Sequence, residues 1–234
     1  MSPSKLLDAI DEFSATHDFL ISIGGHKSKI LSNLITKEKP KTVVELGGYL
    51  GYSAILFADT MRRQNSPNPG ELRVLSLEMS PEFAAIARKL IELAGMSEIV
   101  TVVVGPAEES LRRLKGEGKL TGLDMLFLDH AEELYLADFK VCEELGLLKK
   151  GAVVVADNVV RPGAPEYREL VRGYPGLKSE GVRGLIQPGD LEVCICNDLG
   201  QRNWLTLLRR MNWRSATFQS EVTATMRGVH EAHP

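Results

Sequence analysis

Cysteine is scarce in this chain. Its three residues, Cys142, Cys194 and Cys196, are too few and too odd in number for a disulfide framework. Cys194 and Cys196 form a C-x-C pair, a spacing that puts both thiols on one face of a strand, so they read as core. Neither sign of charge dominates. Against 28 Lys+Arg stand 31 Asp+Glu, a net charge of −3 that leaves no global basic field for nucleic acid or an anionic membrane. No run approaches the roughly 20 apolar residues that a membrane helix needs. The opening MSPSKLLDAIDEF mixes acids into its apolar residues, as a signal peptide does not. Internal repeats and low-complexity tracts are also missing. What remains is 44% hydrophobic and 25% charged residues over 234 positions, the composition of a globular chain with a substantial core, expected in the cytoplasm.

The hydrophobic pattern changes period along the chain. Leu6, Ile10 and Phe13 recur at helical spacing, as do Ile30 with Leu34 and Leu31 with Ile35, which predicts two amphipathic helices before Pro40. After Pro40, short apolar runs at Thr42–Leu46, Val74–Leu77, Val100–Val104, Leu123–Leu128 and Ala152–Ala156 alternate with helical stretches. Runs that are apolar without alternation predict strands buried on both faces, hence a parallel sheet. In the second intervening helix Ser80 is placed to cap, Pro81 stands in the first turn, and Phe83, Ala87, Leu90 and Ala94 share a face. Gly95 closes that helix. Five strand–helix units predict a doubly wound α/β fold. A last strand pair near Leu177–Gly184 and Leu191–Asn197 is read as an antiparallel edge. The turn-rich NSPNPG at 65–70 is short enough to be a loop within one domain over 1–200. Residues 201–234 form an extension, with Trp204, Leu207, Leu208 and Met211 on one helical face and then a weakly patterned tail. Its five Arg against two Glu read as a solvated tail in preference to a binding arm.

Acids fall where strands end. Glu45 lies in the last two residues of the first strand, while Glu78, Asp129 and Asp157 follow the second, fourth and fifth. The carboxyl ends of a parallel sheet share one edge, where ligands bind at the switch point. One such acid is explained by capping; four converging ones repel unless a cation or many donors compensate them. The edge therefore expects a positively charged ligand, a metal, or both. The first turn, ELGGYLGYS, has glycines at 47, 48 and 51 but is neither G-x-G-x-x-G nor a P-loop. With an acid opening the loop and Glu78 placed to take ribose hydroxyls, S-adenosylmethionine fits better than a dinucleotide. Asp129, Asp157 and Asn158 give three hard oxygens, a set that suits Mg²⁺. The alternative is that Asp157 and Asn158 only form a turn before Pro162.

At these residues the sequence resembles the catechol O-methyltransferase family, from about Leu6 through Asn197. The blocks that carry the resemblance are VVELGGYLGYS, LSLEMSPEFAAIA, LDMLFLDHAEELYLADF and LLKKGAVVVADNVVRPGAPE. It implies the class I methyltransferase fold: a doubly wound, mostly parallel seven-stranded sheet with an antiparallel edge strand, preceded by N-terminal helices over 1–40 that cover the site. It implies that Ile23, Glu45, Gly47, Tyr49 and Ser53 line the methionine end of S-adenosylmethionine. Glu78 would hold the ribose, Met79 and His130 would lie against the nucleoside, and Gly105 to Glu108 would rim the adenine. Asp129, Asp157 and Asn158 match the family's magnesium ligands without change. The family's general base is a lysine three residues after the first metal-binding aspartate; Glu132 stands there in this chain. Ala131 replaces an adenine-side aromatic, and Phe19 a substrate-gating tryptophan. The implied partner is a small vicinal diphenol, with no nucleic acid and no membrane. The rival readings are methylation of another hydroxylated small molecule, a cofactor-binding protein without turnover, and a nucleic-acid methyltransferase using the Arg-rich tail.

Overall fold

The structure is a computed structural model that describes residues 1–64, 71–174, 177–182 and 191–196. The loop expected over 65–70 and the extension expected over 201–234 lie outside these residues. Two helices open the chain, α1 (Pro3–Thr16) and α2 (Gly24–Glu38). The strands and helices that follow are β1 (Thr42–Leu46), α3 (Tyr52–Gln64), β2 (Arg73–Glu78), α4 (Pro81–Leu93), β3 (Val100–Val104), α5 (Ala107–Gly116), β4 (Leu123–Leu128), α6 (Tyr135–Glu144), β5 (Leu148–Ala156), α7 (Pro165–Gly173), β6 (Leu177–Val182) and β7 (Leu191–Cys196). A short 3₁₀ turn, Glu132–Leu134, leads into α6.

The strands make one seven-stranded sheet in the order β3-β2-β1-β4-β5-β7-β6. The first five run parallel; β7 pairs antiparallel with both β5 and β6, so the antiparallel strand sits one place in from the edge and β6 takes the edge itself. The chain reverses its direction of growth between β1 and β4, which puts the switch point there.

Side-chain alternation along buried strands feeds two cores. Val43, Val74, Phe127 and Val155 pack with Leu6, Leu31, Ile35, Phe57 and Ile91 from α1 to α4. Val44, Leu75, Leu126 and Val154 pack on the other face with Leu111, Phe139 and Tyr167 from α5 to α7. Each fully enclosed side chain such as Phe57 or Phe139 contributes roughly 1.5–3 kcal/mol. Cys194 and Cys196 are both free and buried in the second core, as the C-x-C spacing implies.

Local chemistry sets the helix ends. Ser80 caps α4, accepting from the Phe83 N–H at 3.2 Å, with Pro81 in the first turn. Gly95 follows at φ +67°, the left-handed value that ends a helix. The buried face of α4 is Ala84, Ala87, Ile91 and Ala94. Phe83 stands outside it, 39% exposed, because its ring meets Tyr49 edge-on at 4.8 Å instead of the sheet.

Candidate functional site

The carboxyl ends of the parallel strands are tied to one another by backbone hydrogen bonds that continue the ladder into the loops. Gly47 N–H donates to Leu77 O, Asp129 N–H to Leu46 O and Asp157 N–H to Leu128 O, each at 2.9 Å, and Gly105 N–H to Glu78 O at 3.0 Å. The acids singled out by sequence therefore converge on one edge.

Glu45 is fully enclosed on β1 and accepts hydrogen bonds from the Ser53 and Ser76 hydroxyls. Burial pushes its carboxyl up to about 7, against the two hydroxyls and with help from the Glu78 charge. After it the backbone turns at Gly47, φ +95°, where a Cβ would lie 2.2 Å from the Asp129 carbonyl oxygen. Only glycine lets the loops after β1 and β4 meet this closely. Tyr49 holds a left-handed conformation, φ 43°, and its N–H donates to Glu78 Oε2 at 2.7 Å. The Ser80 N–H donates to Glu78 Oε1 at the same distance. Both oxygens of Glu78 are thus aimed by backbone, and each keeps a lone pair for a hydroxyl.

The rim is less uniform. Met79 leaves 72% of its surface in solvent, an apolar platform beside Glu78. Gly105 takes φ +129° at the next loop. Glu108 is half-exposed on α5, and its carboxylate is engaged by Arg112 at 2.9 Å along the helix. His130 follows Asp129, with Nε2 2.8 Å from Asp138 Oδ2 and its ring tilted on Tyr135. Its Nδ1 is buried and has no hydrogen-bond partner among the described residues. Ile23 is buried at the start of α2.

The second cluster centres on Asp157, which is 2% exposed. The Asn158 N–H donates to Asp157 Oδ1 at 2.8 Å, with Asn158 left-handed at φ 53°. Lys27, from the first turn of α2, reaches both: its Nζ is 2.6 Å from Asp157 Oδ1 and 3.0 Å from Asn158 Oδ1. Asp129 is held well above the usual carboxylate range by burial and by the Asp157 and Glu45 charges, with Lys27 pulling the other way and Glu132 adding to the rise. Glu132 itself is half-buried at the start of the 3₁₀ turn. Lys27, Ser76 and Asp138 were not anticipated from sequence. Lys27 lies 130 residues from Asp157, and no spacing signals that contact.

The profile described as O-methyltransferase matches residues 3–168. The chain belongs to the O-methyltransferase family. It is 39% identical over 171 residues to the catechol O-methyltransferase of Bos taurus, covering 73% of this chain and 60% of that protein. The chain therefore spans about three-fifths of the length of that relative. Among solved structures it resembles the O-methyltransferase from Bacillus cereus in complex with SAH (TM-score 0.69, 25% identity, 82% of this chain and 90% of that one). It also resembles the O-methyltransferase TomG from Streptomyces achromogenes in complex with SAM (TM-score 0.66, 25% identity, 84% and 89%). No helix of this O-methyltransferase family member, among the described residues, is long and apolar enough to cross a membrane.

Proposed function

We propose that this chain transfers a methyl group from S-adenosylmethionine to one hydroxyl of a small vicinal diphenol, with Mg²⁺ as its metal, in the cytoplasm. The observation that carries the reading is the meeting of the loops after β1 and β4, where Gly47 lies against the Asp129 backbone carbonyl at the sheet edge that Asp157 also ends. Three free, buried cysteines are in keeping with a reducing compartment.

The residues fit both groups. Glu78, aimed by two N–H donors, suits a ribose diol, and Gly47 with Tyr49, Ser53, Glu45 and the Ile23 backbone suits a cationic amino-acid end. Met79, Gly105 and His130 suit the nucleoside; Glu108 pairs with Arg112. Asp157 and Asn158 already hold an ammonium through a carboxylate and an amide oxygen, and its charge also bears on Asp129, so the donor set is hard and suits positive charge. When bound, the metal supplies charge that lowers the pKa of the acceptor hydroxyl. Alignment then dominates: the acceptor oxygen bonds to the methyl carbon as the carbon–sulfur bond breaks, in line. Glu132, whose charge bears on Asp129, would take the hydroxyl proton, as a weaker base than lysine.

Incubation with S-adenosylmethionine and a panel of catechols, with Mg²⁺ or EDTA, tests this by mass spectrometry. Monomethylated product that requires metal is expected, falling about 100-fold or more in Asp157→Ala and about 100-fold in Glu132→Gln. Product that survives EDTA unchanged removes the metal from the reading. Cofactor binding without any product makes the chain a binding protein without turnover.

A further inference from the structure

The carboxyl edge concentrates negative charge. Asp129 and Asp157 end two hydrogen-bonded strands, and the charges of Glu45 and Glu132 also bear on Asp129. Like charges this close need compensation, because an isolated pair of enclosed carboxylates is strongly disfavoured. The compensation comes from outside the sheet. Lys27 Nζ donates to Asp157 Oδ1 and Asn158 Oδ1 and acts electrostatically on Asp129. One ammonium thus serves all three residues assigned to the divalent cation, and its side chain is only 18% exposed.

We propose that Lys27 is the resident cation of this site in the metal-free protein, and that a divalent cation binds by displacing its ammonium. The inference rests on the metal assignment made above. An ammonium 2.6 Å from Asp157 Oδ1 and 3.0 Å from Asn158 Oδ1 competes with a metal for the charge and lone pairs of both oxygens. Lysine is suited to the exchange: a compact charge on a four-carbon stem leaves by rotating its own side chain. The lysine keeps Asp129 and Asp157 from repelling while the site waits for metal, and it sets a threshold that the metal must exceed. By linkage, whatever stabilises only the metal-free state weakens metal binding by the same factor.

The test is direct binding of Mg²⁺ and Mn²⁺ to the full chain by calorimetry, with thermal melts in EDTA and in saturating metal. Lys27→Met is expected to bind metal about tenfold tighter, equivalent to about 1.4 kcal/mol. It is expected to melt below wild type in EDTA and level with it in saturating metal. Lys27→Arg keeps the competing charge and should stay near wild-type affinity. Should Lys27→Met fold poorly, amine labelling of the wild-type chain answers the same question, because metal should raise labelling at Lys27 several-fold. Equal or weaker metal binding by Lys27→Met, or a melting deficit that metal does not remove, makes Lys27 a structural tie and overturns the proposal. So does unchanged labelling. Failure of the metal assignment looks different: neither wild type nor Lys27→Met binds metal although both melt cooperatively.

Discussion

Glu45 shows how one enclosed group couples stability to pH. Its carboxyl sits at about 7 in the folded protein against an ordinary value of 4.5, chiefly because burial disfavours the charge. The folded state therefore holds this proton more tightly than the unfolded chain. The contribution is fully present below about pH 4.5 and is lost as pH rises through about 7, with an amplitude of roughly 3 kcal/mol. Glu45→Gln carries no charge at any pH. The unfolding free energy of wild type minus that of the variant should fall by roughly 3 kcal/mol between about pH 4.5 and pH 8, measured by urea denaturation. A difference that stays flat would refute the burial account. The acids themselves were legible because each ends an apolar run. Lys27 was not, since a lysine in the first turn of a helix looks like any solvated charge until the tertiary fold brings Asp157 to it.

At the scale of elements, buried strands announce themselves and their order does not. All five parallel strands follow from apolar runs without alternation, and the two N-terminal helices from their spacing. That β7 enters between β5 and β6 depends on pairing partners far apart in sequence, which no local pattern encodes. The same blindness covers Phe83, which helical spacing puts in the core and Tyr49 draws out of it. The junction of α7 with this late pair of strands hangs on Glu192, a fully enclosed carboxylate on β7. It accepts from Arg172 Nε at 2.9 Å and Nη2 at 2.7 Å, and from the Ser179 hydroxyl. Burial works against its charge, and Arg172 and Ser179 still hold its carboxyl below the ordinary range. Arg172→Met strands that charge. Because the guanidinium is half-exposed, the expected loss is moderated to about 2 kcal/mol. The double variant Arg172→Met/Glu192→Gln should recover part of it in equilibrium denaturation. If the double variant is as unstable as the sum of the singles, the pair is not what holds the junction.

The whole molecule has a polarity that separates holding from reacting. At the carboxyl edge, backbone strain, enclosed acids and glycine turns accumulate; at the amino edge the charges serve one another. Asp124, which opens β4 beside Leu123, accepts from the Lys41 and Thr42 N–H groups at 3.0 and 2.8 Å and from Lys149 Nζ at 2.8 Å, clamping β1, β4 and β5 together. Partial burial opposes its charge, yet Lys149 and the two N–H groups hold the carboxyl below its usual range. A concavity of about 520 Å³ opens here, lined by Lys39, Lys41, Glu71, Asp124 and Lys149, but Lys41 pairs with Glu71 and Lys149 with Asp124. Asp124→Ala leaves two strand-opening N–H groups without their acceptor and should cost about 2 kcal/mol, seen as a lower urea midpoint with an unchanged slope. S-adenosylmethionine affinity, measured by calorimetry under conditions where the variant is folded, should stay within about twofold, since nothing at the carboxyl edge loses a partner. Asp157→Ala should lose the proposed metal-dependent methyl transfer. An Asp124→Ala protein that binds cofactor as poorly as it folds would mean that the two edges are one cooperative site, and the separation drawn here would fail.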